Sequence, residues 1–222
     1  MVSGRGGTAV ACAVVSLAIA VSGCTSGDTA EPRSNGELCR LGQDSAESTS
    51  LRGLVGGNDI RTEISNDDGD LVESMENWLK PGGAEKSALP LRMCSYRPEA
   101  ATGARTVSLE FGWLPLDEAN ELPGQVRHYD LNGATVQAND INAKLTVPCR
   151  MPGDLGDPSA KVMLEGQVSN TLLIGTDVEQ RTVDQQVTFL YLMTRRATEA
   201  LGCENDPLAK DPVVEASPSP AA

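Results

Sequence analysis

Apolar residues recur at helical spacing in three segments of the chain, 44–57, 70–80 and 176–203. Positions three and four residues apart share one face of a helix, so each segment can turn an apolar side toward a core. The third segment is the longest, and Gly202 follows its last apolar residue, a position that favours glycine at a helix end. The pattern predicts three amphipathic helices.

Two of the predicted helix starts fit the capping box, in which two side chains three residues apart bond each other's backbone N–H groups. Asp44 and Glu47 have this spacing before the first helix, and Thr176 and Glu179 have it before the third. We therefore expect these residues to cap the helices that they precede.

Between the second and third helices the pattern changes from helical spacing to alternation, which is typical of strands. The segment 105–116 alternates cleanly, and 134–149 and 160–169 are further strand candidates, while 114–133 is rich in turn residues. Strands mostly consecutive in sequence with helices at either end predict an α+β domain, an antiparallel sheet with helices packed on one side.

Residues 1–23 have the layout of a secretory signal peptide. Arg5 supplies a positive charge, and Thr8–Val21 is almost wholly apolar but too short for a membrane span, which needs about 20 apolar residues. The exit, Val21-Ser22-Gly23-Cys24, resembles the lipobox of bacterial lipoproteins. That resemblance implies that Cys24 receives a diacylglyceryl group and becomes the first residue of the mature chain.

A lipidated Cys24 would hold the protein at the extracytoplasmic face of the cell membrane, because two acyl chains anchor stably where one does not. The alternative is ordinary cleavage that leaves a free Cys24 thiol, an odd feature in an exported protein. Residues 24–36 are polar and turn-rich, and we interpret them as a tether.

Residues 37–204 have the size of one domain, and 205–222 are rich in proline and alanine, which predicts a disordered tail. Removal of 1–23 leaves 17 Lys and Arg against 31 Asp and Glu, a net charge of −14. This acidity argues against nucleic acid as a partner. It is compatible with a cationic ligand, although solubility is the more ordinary reason for it.

Four cysteines remain besides Cys24: Cys39, Cys94, Cys149 and Cys203. An even number in an exported chain predicts two disulfides, with three possible connectivities, and no pair has the spacing of a zinc site. We favour Cys39–Cys94 and Cys149–Cys203, since each pair then brackets one half of the domain. Closing each loop is worth roughly 4 kcal/mol in the chain-entropy account.

Together, the lipobox, the tether and the stretches ELCRLGQDSAESTSLRGLVGG and RMCSYRPEAATGARTVSLEF resemble an uncharacterised family of actinobacterial lipoproteins. In that family a cysteine precedes a short helix ending in glycine, and a second cysteine, followed by an aromatic residue, opens a strand. The corresponding residues here are Cys39, Gly56, Cys94 and Tyr96. The family has been likened to PsbP-type α+β sandwiches, which implies a binding scaffold, and it supplies no activity.

Residues that could carry catalysis are sparse. His128 is the single histidine, and no G-x-S-x-G sequence exists to hold a nucleophilic serine. The acidic run 67–73 lacks the first and twelfth ligands of an EF-hand. We therefore interpret it as an acidic turn at the start of a helix, where the helix dipole favours negative charge. Arg195 and Arg196 are interpreted as charges near a helix end, which the dipole also favours.

These observations favour a non-catalytic, lipid-anchored envelope protein that uses no cofactor or metal and binds an unknown envelope protein or small ligand. Two alternatives stay open: an envelope hydrolase that uses carboxylates, and a cation-binding module centred on Asp67, Asp68 and Asp70.

The cysteine assignment can be checked directly by mapping proteolytic peptides of the purified protein without reduction. We expect linked peptides that contain Cys39 with Cys94 and Cys149 with Cys203. A peptide linking Cys39 to Cys203 would contradict the assignment.

Overall fold

The structure, a computed structural model, describes residues 38–83, 89–118 and 121–215. The predicted signal peptide, Cys24 and the tether lie outside the described residues. No helix within the described ranges is long and apolar enough to cross a membrane.

Seven antiparallel strands form one sheet, in the spatial order β1-β2-β3-β7-β6-β5-β4. The strands are β1 Ile60–Ile64, β2 Leu91–Pro98, β3 Val107–Pro115, β4 Arg127–Leu131, β5 Ala134–Ala138, β6 Asn142–Val147 and β7 Val162–Asn170. The helices in the described ranges are α1 Ala46–Val55, α2 Asp68–Leu79, α3 Gly156–Ser159 and α4 Gln180–Leu201, and short 3₁₀ turns span Gly153–Leu155 and Thr171–Leu173. The three longer helices, α1, α2 and α4, pack on one face of the sheet, and the predicted α+β class is confirmed.

The two central strands follow the predicted alternation. β3 pairs with β7 along all nine residues of each strand. On the face toward the helices β3 buries four large side chains completely or nearly so, Val107, Leu109, Phe111 and Trp113. Strand formation in the segments 105–116 and 160–169 is thus confirmed, and burial of the alternate positions explains it.

The candidate strand 134–149 is two strands rather than one. β5 and β6 form a hairpin whose turn is held by Asn139, since its Oδ1 accepts the backbone N–H groups of Ile141 at 3.1 Å and Asn142 at 2.8 Å. A side chain that bonds backbone two and three residues ahead offers the chain a turn in place of a straight strand.

β4 was not predicted, because 114–133 has the composition of turns. The strand pairs with β5 through a two-residue turn at Asn132 and Gly133, whose φ angles of 54° and 85° lie in the left-handed region. Asn-Gly is the sequence that such hairpin turns favour. β1 was missed for another reason: four of its five residues are exposed, so it carries no alternating pattern.

Helix starts differ from the predicted capping boxes. The N-cap of α1 is Ser45, whose Oγ accepts the Ser48 N–H at 3.1 Å, so Asp44 and Glu47 do not cap α1. The N-cap of α4 is Glu179, which makes no side-chain cap, and Thr176 lies before the helix. The predicted capping boxes at both places were wrong, because Ser45 lies one residue later than Asp44 and α4 begins four residues after Thr176.

The acidic run before α2 is a helix start, as predicted. Asp67 Oδ1 accepts the Asp70 N–H at 3.0 Å and Asp70 Oδ2 accepts the Asp67 N–H at 2.9 Å, a reciprocal capping box. At their other ends, α1 and α4 stop at Gly56 and Gly202, with φ angles of 78° and 70°.

α4 lies close to the sheet at Gly166 of β7. A Cβ atom at this position would lie 2.6 Å from Thr194 Oγ1 and 3.0 Å from Phe111 Cε1. The missing side chain lets the helix approach the strand, and twelve of the 22 residues of α4 are buried. The central contact of the core therefore depends on a glycine.

The cysteines lie at disulfide-bonding distance in the predicted pairs, Cys39 with Cys94 and Cys149 with Cys203. The first pair joins the segment before α1 to β2, and the second joins the chain after β6 to the residue after Gly202. Each therefore ties a chain segment outside the regular elements to the core.

Residues 205–215, assigned from composition to a disordered tail, contact the body of the domain. Leu208 is buried, the Tyr191 hydroxyl donates to the Lys210 carbonyl at 2.9 Å, and Asn205 Nδ2 donates to the Pro148 carbonyl at 2.8 Å. The described part of this segment lacks helix and strand but is held by the core. Residues 216–222 lie outside the described ranges.

Substituting Gly166→Ala should destabilise the domain by about 1–3 kcal/mol, because the added methyl overpacks a contact between buried groups. Chemical denaturation of the variant and the wild type measures the difference. Gly57→Ala is the matched control, since a Cβ there meets open space. Equal stability of the two variants would contradict the close contact at Gly166.

Candidate functional site

A pocket of about 520 Å³ is lined by residues of α1, α2 and α4 and by the segments at both ends of the described chain. We call it the inter-helix pocket. Its wall combines Leu38, Ala200 and Ala209 with six charged side chains: Glu47, Asp68, Arg195, Arg196, Glu199 and Asp206. Cavities of about 300–1,000 Å³ are typical of small-molecule sites, and this one is unusually polar.

Glu47 is the buried acid of the inter-helix pocket. It lies in the first turn of α1, lines the pocket and is only 9 % exposed. Its carboxylate makes no hydrogen bond or ion pair with any residue that the structure describes. The Glu47 oxygens are not among the fully buried side-chain atoms that lack a partner, so the carboxylate opens to the pocket.

Asp68, at the start of α2, is the second buried acid of the pocket wall. Both of its carboxylate oxygens accept the Leu38 N–H, at 3.0 and 3.3 Å. Asp68 thus holds the entering chain against α2, while Asp67 and Asp70 cap the helix. All three carboxylates of the suggested cation module therefore bond backbone groups. In the described ranges no group of His, Cys, Asp and Glu side chains is arranged to hold a metal ion.

The two arginines of the pocket come from the last third of α4. Arg195 Nη1 pairs with Asp211 Oδ1 at 3.0 Å, and Arg196 Nη2 donates to the Arg40 carbonyl at 3.4 Å. Both residues precede the last turn of the helix, outside the reach of the helix dipole. Their interpretation as helix-end charges was wrong, because they join segments on either side of the helix.

Tyr96 of β2 lies close to this region. Its hydroxyl donates to the Cys39 carbonyl at 3.2 Å, and its ring meets Phe189 edge-on at 5.8 Å. Burial raises the pKa of Tyr96 well above its ordinary value of 10.0, and the positive charge of Arg196 opposes part of that rise. A buried aromatic side chain thus connects the Cys39 end of the chain, the sheet and α4.

The opposite face of the sheet carries a row of polar side chains. Arg92 and Glu110 pair at 2.9 Å, and Gln167 and Lys144 continue the row in register. The connection from β3 to β4 crosses this face, where the Leu122 N–H donates to Gln137 Oε1 at 3.0 Å. A second cavity of about 400 Å³ lies there, with the charges of Arg92 and Glu110 already paired.

His128 lies on β4, exposed and opposite Gln137, far in the sheet order from β1 and β2. It was expected in a solvated loop, and it is solvated but on a strand. The polar side chains that the structure gathers at the inter-helix pocket are instead ones that sequence analysis assigned to capping or to a helix end, notably Glu47, Arg195 and Arg196. The sequence did contain a signal for Glu47. This residue lies four residues before Leu51 and therefore on the apolar face of α1.

No protein-family model, no curated protein and no solved structure matches this chain at a significant level.

Replacing Tyr96 by Phe should lower the free energy of unfolding by about 1 kcal/mol at neutral pH, because the hydrogen bond to Cys39 is lost. The raised pKa means that the folded protein holds the hydroxyl proton more tightly than the unfolded chain does. That contribution is complete below pH 10 and declines as the pH rises through the folded pKa.

The difference between wild type and Tyr96→Phe should therefore shrink above pH 10. Chemical denaturation at pH 8, 9, 10 and 11 measures it. Tyr129→Phe is a second test of the same effect, since burial raises the pKa of Tyr129 to about 12, with a hydrogen bond to Asp184 adding to the rise, so its difference from wild type should also shrink above pH 10. A difference that grows with pH would contradict this account.

Proposed function

We propose that the chain is a membrane-anchored extracytoplasmic lipoprotein whose α+β domain binds a small ligand in the inter-helix pocket and has no catalytic role. The observation that carries the binding part is Glu47, a largely buried residue at the pocket wall whose carboxylate opens to the pocket and has no partner among the described residues. A fold selected for stability alone would gain by replacing such a group with a neutral one.

The anchoring part rests on the sequence. A short cationic start, an apolar run and Val21-Ser22-Gly23-Cys24 follow one another in the order of a lipoprotein signal. In the sequence, Cys24 precedes Leu38 of the pocket by 14 residues. A lipid anchor at Cys24 would keep the domain at the membrane, where it would sample ligands of the cell envelope.

A carboxylate hydrolase is less well supported by the pocket. General acid–base chemistry needs a second group that is free to exchange protons with water or substrate. Asp68, the other buried acid of the wall, accepts the Leu38 N–H with both oxygens, and the remaining acids, Glu199 and Asp206, are exposed at the pocket rim rather than buried with Glu47. Affinity capture of the anchored protein tests for a partner protein in place of a small ligand.

Replacement of Cys24 by Ser should abolish lipidation and move the protein from the membrane fraction to the soluble fraction of the cell envelope or the medium. Fractionation followed by mass spectrometry of the amino-terminal peptide measures both effects. Cys12→Ser is the matched control, because the same atom is exchanged inside the predicted signal peptide, and this variant should remain lipidated. A Cys24→Ser protein that stays in the membrane pellet would contradict the anchor.

A further inference from the structure

We propose that the inter-helix pocket selects a small organic cation and that the ammonium or guanidinium group of this ligand pairs with Glu47. The inference rests on the proposed function, since it names the ligand class of the same pocket. Some charged side chains of the pocket wall have partners and others have none, and this difference indicates the ligand.

The positive groups of the wall are already engaged. Arg195 pairs with Asp211, and Arg196 donates to the Arg40 carbonyl. The side chains of Glu47, Glu199 and Asp206 have no hydrogen-bond or ion-pair partner within the described part of the chain. The wall carries four acids against two arginines, and Arg195 is already paired with Asp211, so the pocket is net negative and a cation is the ligand that complements it.

Glu47 differs from the other two acids in its burial. Glu199 and Asp206 are exposed at the rim, where water screens them, whereas Glu47 is 9 % exposed. An ion pair gains strength as water is excluded from it, so a cation that reaches Glu47 would be held more firmly than one at the rim.

The shape of the pocket favours an organic cation over a metal ion. Its volume of about 520 Å³ fits a molecule of several heavy atoms. The acids of the wall are spread over α1, α2, α4 and the segment after α4, and no described group of them is arranged around one point. The net charge of −14 on the predicted mature chain would also draw a cation toward the surface.

Titration of the purified full-length protein with spermidine tests the proposal, and glutarate is the anionic probe. We expect spermidine to bind and glutarate not to bind, as measured by calorimetry at low and at physiological salt. Glu47→Gln should weaken spermidine binding at least about tenfold, because it removes the buried partner of the cation. Glu73→Gln, an exposed acid of α2 outside the pocket, carries the same charge change and should bind within about twofold of wild type.

A second readout separates binding from folding. The melting temperature of ligand-free Glu47→Gln should be equal to or higher than that of wild type, since the substitution removes no hydrogen bond or ion pair within the described residues and lowers the net negative charge. If Glu47→Gln does not fold, Ala200→Trp fills the pocket from its wall and leaves every charge in place, and it should abolish spermidine binding.

Equal weakening in Glu47→Gln and Glu73→Gln would show attraction by net charge alone and overturn the proposal. Spermidine binding that survives Ala200→Trp would overturn it as well. Binding of glutarate in place of spermidine would overturn the ligand class while leaving a ligand-binding pocket intact. Absence of binding by both probes would overturn this inference, and the Cys24→Ser experiment would still decide the anchor independently.

Discussion

The approach of α4 to the sheet at Gly166 is the contact on which the other helices depend. With no side chain on β7 at that point, Thr194 and Leu190 can lie directly over the strand. α1 then packs along α4, and α2 contacts both α4 and the neighbouring strands. The distance between α4 and the sheet therefore sets the position of the last third of α4 relative to α1 and α2. The inter-helix pocket is a consequence of that placement, and so is the position of its arginines.

The pocket also marks where the two ends of the described chain meet the helices. Leu38 is held by Asp68, and the segment after α4 is held by Arg195 through Asp211. The disulfide-distance pairs lie on the same two segments, one before α1 and one after α4. The two cysteine pairs and the Arg195–Asp211 ion pair thus restrain the chain segments that form part of the pocket wall.

The pattern of apolar residues predicted the parts of the fold whose burial is regular. β3 and β7 alternate because both have one face against helices, and α1 and α4 end at glycines that adopt positive φ. β1 lacks a regular pattern because it is exposed. β4 was missed because the turn-rich composition of its surroundings hid the Asn132-Gly133 turn, which is a better indicator of a hairpin. Helix starts were misjudged because several residues near each start can act as a cap. The pocket could not be predicted, since its wall joins residues as distant as Leu38 and Ala209, and their meeting is decided by tertiary packing.

The sheet has two edges, β1 and β4, and both are short strands of five residues. Exposed Arg61 and Glu63 occupy the first edge, and at the second Arg127 pairs with Asp140 at 3.2 Å beside exposed His128 and Asp130. Charges on short edge strands oppose the pairing of one sheet with another. Many copies of such a domain could therefore crowd a single surface without joining edge to edge into aggregates.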